Sequence, residues 1–210
     1  MRVPDWRGGL KMDEQPTFEA KTYGFLIRPD EKTVEQAVRM GRDLAPGANY
    51  RVTGEKAHIT LYHAPFIHLP RQEVATMLMS LRASLRRMHC SLTSPALYGG
   101  KFLFWDILNI PTELQLAHEA CLVLARYLDP NVRSRAEREG LTMLDEERKN
   151  AIEYGHPLVR RRFRPHITLA ANDSGIPSSD SFWNSRDMTV ETVVFAEIGE
   201  WGTPSRIIEP

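Results

Sequence analysis

One tetrapeptide occurs twice in this chain and holds the residues best suited to chemistry. His58-Ile59-Thr60-Leu61 and His166-Ile167-Thr168-Leu169 stand 166 − 58 = 108 residues apart. Side chains alternate along a strand, so residues i and i+2 share a face about 7 Å apart. In the first copy Ile59 and Leu61 point to one side, and Lys56, His58, Thr60 and Tyr62 to the other. In the second copy Ile167 and Leu169 point inward, opposite Arg164, His166 and Thr168. A cation precedes each histidine by two residues. Two imidazoles with two hydroxyls suit the cleavage of a phosphodiester. One neutral histidine takes a proton from the attacking oxygen, and the other, protonated, gives one to the leaving oxygen. Histidine titrates near neutrality, so both states are accessible. The threonine hydroxyls donate to the non-bridging oxygens, where charge grows in the transition state. Lys56 and Arg164 add positive charge. Such a set needs no metal and no cofactor.

The flanking sequence says what must position these strands. Thr22–Pro29, aromatic and branched, reads as a strand. Asp30 then caps a helix carrying Val34, Ala37, Val38 and Leu44 at helical spacing. The first HITL strand follows and stops at Pro65. Pro70 opens a second helix with Val74, Leu78, Leu81, Leu85 and Met88 on one face. The order then restarts. Lys101–Ile110 reads as a strand, and Thr112–Gln115 as a capping box. The helix it opens is expected to turn Leu116, Ala117, Ala120, Leu124 and Leu128 inward. The second HITL follows after a charged stretch at about 129–158, read as a surface insertion containing a helix. Two apolar runs, TVETVVFAEI and PSRIIE, close the chain as strands. Strand, helix and HITL strand thus occur twice, which suggests a duplicated unit. No Gly, Ser or Pro linker separates the halves. Residues 22–210 are therefore read as one domain of two lobes, behind an N-terminal arm at 1–21.

The bulk composition narrows the classes. The chain has 210 residues, with 27 Lys plus Arg against 27 Asp plus Glu. A neutral balance gives no general attraction to nucleic acid or to an acidic membrane, so an anion site must be a local cluster. No apolar run approaches the roughly 20 residues of a membrane span. The first residues lack the apolar core of a secretory signal. Cys90 and Cys121 match no zinc or redox spacing, and reduced thiols in a cytoplasmic protein are expected.

Other candidates read more plainly. His58, His63 and His68 recur every five residues without a Cys or acidic partner at ligand spacing, which argues against a metal. His63 and His68 are taken as loop residues beside the cleft, and His118 and His156 as structural or solvated. Arg160, Arg161, Arg162 and Arg164 suggest a phosphate-facing rim. Tyr62, Trp105 and Tyr23 are candidates to stack on a base, Tyr62 first among them.

The two H-x-T-x motifs, with RPHITLA and FLFWDI around them, resemble the 2H phosphoesterase superfamily from about Thr22 to the end. That group includes RNA 2′,5′-ligase-like proteins, cyclic nucleotide phosphodiesterases, 2′,5′-oligoadenylate phosphodiesterases and phage nucleases that destroy cyclic oligonucleotide signals. The resemblance implies an α+β fold, with two antiparallel sheets about a pseudo-twofold axis, a central cleft and helices outside. It maps the family's motif residues onto His58, Thr60, His166 and Thr168. It also implies a nucleotide or RNA substrate cleaved at a 2′,3′-cyclic or 2′,5′-linked phosphodiester. A monomer without membrane or obligate protein partner is expected. RNA 2′,5′-end joining in the same cleft, or nucleotide binding without catalysis, are the alternatives. The stretch at 129–158 departs from the shortest members of the family, which differ most in the loops around the cleft.

Overall fold

The computed structural model describes residues 16–132, 137, 144–176 and 186–209. Most of the expected arm and parts of the 129–158 stretch lie outside the described residues. The arm's last residues already pack: the Phe18 N–H donates to the Leu69 carbonyl, and its ring lies against Tyr23 and Phe195.

Two halves build the molecule. The first runs β1 (Lys21–Pro29), α1 (Glu31–Leu44), β2 (Tyr50–Arg51), β3 (Ile59–Phe66) and α2 (Arg71–Leu85). The second runs β4 (His89–Leu92), β5 (Ala96–Tyr98), β6 (Phe102–Leu108), α3 (Thr112–Cys121), α4 (Asp145–Tyr154) and β7 (His166–Ala171). Two strands close the chain, β8 (Arg186–Ile198) and β9 (Pro204–Ile208). All the strand pairings are antiparallel. β8–β1–β3 forms one sheet and β4–β6–β7 the other, joined by β3 to β7 at one border and by β8 to β4 at the other. Exchanging β3 with β7, β1 with β6 and β8 with β4 maps one sheet onto the other, which is the pseudo-twofold relation the repeat implies. The helices cross between halves: α1 packs on β7 and α3 on β3. Among the described residues, no helix is long and apolar enough to cross a membrane.

Local sequence explains most of these elements. Asp30 caps α1 by accepting the Thr33 N–H at 3.0 Å, as expected. The α2 face of Val74, Leu78, Leu81 and Leu85 is buried as the periodicity requires. Helix α4 occupies the charged stretch, where a helix was expected. The short strands β2, β4 and β5 escaped the reading, being too brief to show periodicity.

Helix α3 departs from expectation twice. Its N-cap is Pro111, and no side chain caps it, so Thr112–Gln115 forms no capping box. Its inward face is Leu114, Ala117, His118 and Cys121, while Leu116 is 60% exposed. Of the two readings left open for His118, structural or solvated, the structure favours the structural one. His118 is fully buried, because both its ring nitrogens find backbone partners.

Both motif strands carry a β-bulge at the same place. Phe25 pairs with Tyr62 and Leu26 with Thr60, so Leu61 has no partner on β1. Leu103 pairs with Ala170 and Phe104 with Thr168, so Leu169 has none on β6. A bulge leaves backbone groups outside the ladder, and buried ones need other partners. The Leu169 carbonyl accepts from the Val52 N–H at 2.9 Å. The Leu61 carbonyl accepts from His118 Nδ1 at 2.6 Å, and His118 Nε2 in turn accepts the Arg160 N–H at 2.9 Å. Val52 lies six residues before His58, and Arg160 six before His166. One half therefore closes the bulge with a direct bond, and the other inserts an imidazole between the same two positions.

The close approach of α1 to β7 depends on Gly41. A Cβ there would stand 2.6 Å from the Leu169 carbonyl oxygen, an atom already held by Val52. Gly41→Ala gains helix propensity but overpacks a fixed backbone atom, and overpacking typically costs about 1–3 kcal/mol. The expected outcome is a lower urea midpoint at unchanged slope; an equal or higher midpoint would show that the helix shifts freely.

Candidate active site

The site grows from one residue pair. Ile59 of β3 lies directly opposite Ile167 of β7 in antiparallel register, both fully buried. One step either way along that register sets position 58 across from 168 and position 60 across from 166. Neighbouring positions face the other way from the isoleucines. His58 and Thr168, with Thr60 and His166, therefore form a quartet on the face opposite the core. Directly opposed residues in such ladders have Cα atoms about 4.5–5.5 Å apart. His58 is 6% exposed, while Thr60, His166 and Thr168 are half-buried.

The two imidazoles are held alike. His58 Nδ1 donates to the Lys56 carbonyl at 2.6 Å, and His166 Nδ1 to the Arg164 carbonyl at 2.6 Å. Each bond places the neutral ring's proton on Nδ1 and leaves Nε2 as the basic nitrogen. Phe104 stacks on the His166 ring with centroids 3.6 Å apart, fixing its plane. The carbonyl of Gly202, in the turn between β8 and β9, lies near the His58 ring and favours its protonated form.

The matching element before each histidine is thus the carbonyl at minus two. The side chains at that position differ. Lys56 is exposed on the turn before β3. Arg164 makes a two-pronged ion pair with Asp106, both bonds 2.8 Å, and its guanidinium lies over the Tyr98 and Phe104 rings. Arg162 pairs with Glu147 and Arg160 with the Tyr154 hydroxyl, so much of the expected basic rim is bound to neighbours, while Arg161 is exposed.

The bulge redirects the first strand. Alternation restarts after Leu61, so Tyr62 turns into the core instead of sharing a face with His58. Its hydroxyl donates to the Tyr154 carbonyl at 2.7 Å. Trp105 and Tyr23 are core residues too, so none of the three rings proposed for base stacking faces the cleft. His63 takes the cleft side instead. It lies on β3, not in a loop, and its ring meets that of His156 edge-on with centroids 4.3 Å apart. No sequence signal marked this, because a bulge is written in the pairing partner. Among the described residues, no group of three or more His, Cys, Asp or Glu is arranged to hold a metal. Cys90 and Cys121 are free and buried.

Burial sets the electrostatics. It pushes His166 and His63 down to about 4 and holds His58, His118 and His156 below the ordinary histidine value. The histidines also repel one another's protonation, His58 and His166 acting on His63. These five histidines are therefore neutral at pH 7. Unfolded, they take up protons near 6.5. The unfolded chain binds more protons between about pH 4 and 6.5, so stability is complete above 6.5 and is lost as pH falls toward 4. The urea midpoint at pH 5 is expected to lie well below that at pH 7.5; equal midpoints would mean that the rings are hydrated.

No family model and no curated protein sequence matches the chain. Solved structures match its fold. LigT of E. coli complexed with NADP+ gives a TM-score of 0.54 at 16% identity, covering 91% of this chain and 96% of that one. TT0787 of Thermus thermophilus gives 0.58 at 16% identity, covering 90% and 95%. LigT complexed with 3′-AMP gives 0.52 at 15% identity, covering 91% and 96%. Identity this low carries the fold and not the activity. The chain has the two-lobed α+β fold of LigT along nine-tenths of its length, which is the architecture that the two H-x-T-x motifs imply.

Proposed function

We propose that the chain is a phosphodiesterase of the 2H type, cleaving 2′,3′-cyclic or 2′,5′-linked phosphodiesters. The observation that carries this reading is the register at Ile59–Ile167, which faces His58 with Thr168 and Thr60 with His166. A phosphate between the strands meets a ring nitrogen and a hydroxyl from each side. That solved LigT structures hold 3′-AMP and phosphate supports a phosphate-binding cleft in this fold.

His166 serves as the base and His58 as the acid. The carbonyls of Lys56 and Gly202 both favour the protonated form of His58, whereas one carbonyl, that of Arg164, does so for His166, with Asp106 adding to it by charge alone. Water attacks phosphorus as His166 Nε2 takes its proton. The bond from phosphorus to the 2′ or 3′ oxygen breaks, and that oxygen receives the proton of His58. Thr60 and Thr168 donate to the non-bridging oxygens. The bound anion favours the protonated ring, and so supplies the acid that the empty site lacks. End joining at a 2′,5′ bond is the reverse of this path in the same cleft. Binding without catalysis leaves the matched tautomers of His58 and His166 without a use.

Three measurements on a 2′,3′-cyclic nucleotide test the reading. His58→Ala and His166→Ala should each lower turnover by on the order of 100-fold or more, and the double variant by far less than the product. A near-wild-type rate in either folded variant refutes catalysis by the motif. The profile of kcat/KM reports the free enzyme, whose lowered histidines place the low-pH limb below 6.5. His166→Ala should remove that limb and His58→Ala the high-pH limb; the opposite pattern exchanges the roles. Activity should persist in excess EDTA, since imidazoles and hydroxyls supply every step; loss restored by a divalent ion overturns the mechanism.

A further inference from the structure

Two histidines near the quartet have no role in the chemistry above. His63 and His156 meet edge-on, and both are partly open to solvent. His63 follows Thr60 along the cleft side of β3, and His58 and His166 are the charges that act on it. His156 comes from the segment leading to the second motif, and its strongest charged neighbours are His63, His166 and His118. His63 and His156 thus lie beside the quartet, and no carboxylate is among the groups that act most on this second pair.

The contrast with His118 is informative. His118 spends both nitrogens on backbone groups and is fully buried, so its work is structural. His63 Nδ1 is shielded from solvent and bonds to nothing. Such a group weakens the fold unless a ligand satisfies it. His156 Nδ1 accepts the Leu158 N–H at 3.2 Å, which puts the proton of the neutral ring on Nε2 as a donor. The backbone comes close to His63 at two glycines. Gly24 stands across from it on β1, where a Cβ would come 2.7 Å from the His63 Cβ, and a Cβ on Gly202 would come 3.5 Å from His63 Cε1. A carboxylate-free pair of imidazoles with an unmet polar atom suits an anion, since an imidazole N–H donates to a phosphate oxygen in either charge state.

We propose that His63 and His156 form a second anion subsite beside the His58–His166 pair, which takes a second phosphate of the substrate. The favoured substrate class is then a nucleotide or oligonucleotide with another phosphate next to the scissile one. The substrate's identity rests on the phosphodiesterase reading, whereas anion binding is measurable without turnover.

The test is calorimetric titration of the whole chain with orthophosphate and with pyrophosphate, on the native protein, His63→Asn and His156→Asn, each checked for an unchanged urea midpoint. The native protein should bind pyrophosphate about tenfold or more tighter than orthophosphate, the scale of one charge-assisted hydrogen bond. Each variant should lose most of that margin while keeping its orthophosphate affinity. Equal affinities in the native protein, or an unaltered margin in both variants, overturn the subsite. Turnover of a 2′,3′-cyclic nucleotide with and without a 5′-phosphate is measured alongside. A pyrophosphate margin lost in the variants, with no turnover of either nucleotide, sustains the subsite and sinks the phosphodiesterase reading. Turnover with no pyrophosphate margin does the reverse.

Discussion

The antiparallel contact of Ile59 with Ile167 is the constraint on which the site depends. Both side chains are fully buried, so the register is held by the core rather than by the polar residues. A slip of one residue turns every side chain of a strand to the other face. Here it would bury two histidines and two threonines while exposing isoleucine and leucine. The hydrophobic effect therefore enforces the alignment of the quartet, and the polar residues need contribute nothing to it.

The paired bulges at Leu61 and Leu169 are the second condition. They end the regular alternation just after each threonine, so each motif presents one histidine and one threonine and then turns inward. They also free a carbonyl in each half, and the two halves satisfy it differently. The Val52 N–H reaches the Leu169 carbonyl directly, with α1 pressed close at Gly41. His118 bridges from Arg160 to Leu61 and stacks on Phe163 at 3.9 Å. The two halves thus share the geometry of their motif strands while the helix contact is a glycine in one and an imidazole in the other. The bridge ties α3, β3 and the approach to β7 into one unit, so the two motif strands are positioned by a residue outside both motifs.

Charge is distributed economically around the cleft. The arginines nearest the second motif are neutralised locally, Arg164 by Asp106 and Arg162 by Glu147. The imidazoles are neutral because burial opposes their protonation. Neutral imidazoles avoid the desolvation penalty of buried cations, and the Arg28 guanidinium, held by the Glu55 and Gly54 carbonyls, further opposes a charge on His58.

Much of this was legible in the sequence, and the limit is a physical one. The repeated tetrapeptide, its period of two, the Asp30 cap and the α2 stripe are local properties of consecutive residues, so the order of strands and helices and the pairing of the two motifs could be read from them, while the fold class came with the family resemblance that the motifs carry. The face of α3 did not follow, because His118 is buried only by virtue of carbonyl and amide partners 57 and 42 residues away. Nor did the fate of Tyr62, Arg164 and His63. Their directions depend on a bulge defined by the partner strand and on an acid, Asp106, 58 residues distant. Periodicity determines which residues can share a face. Register, bulges and buried hydrogen bonds are made between segments, and only the packed chain decides them.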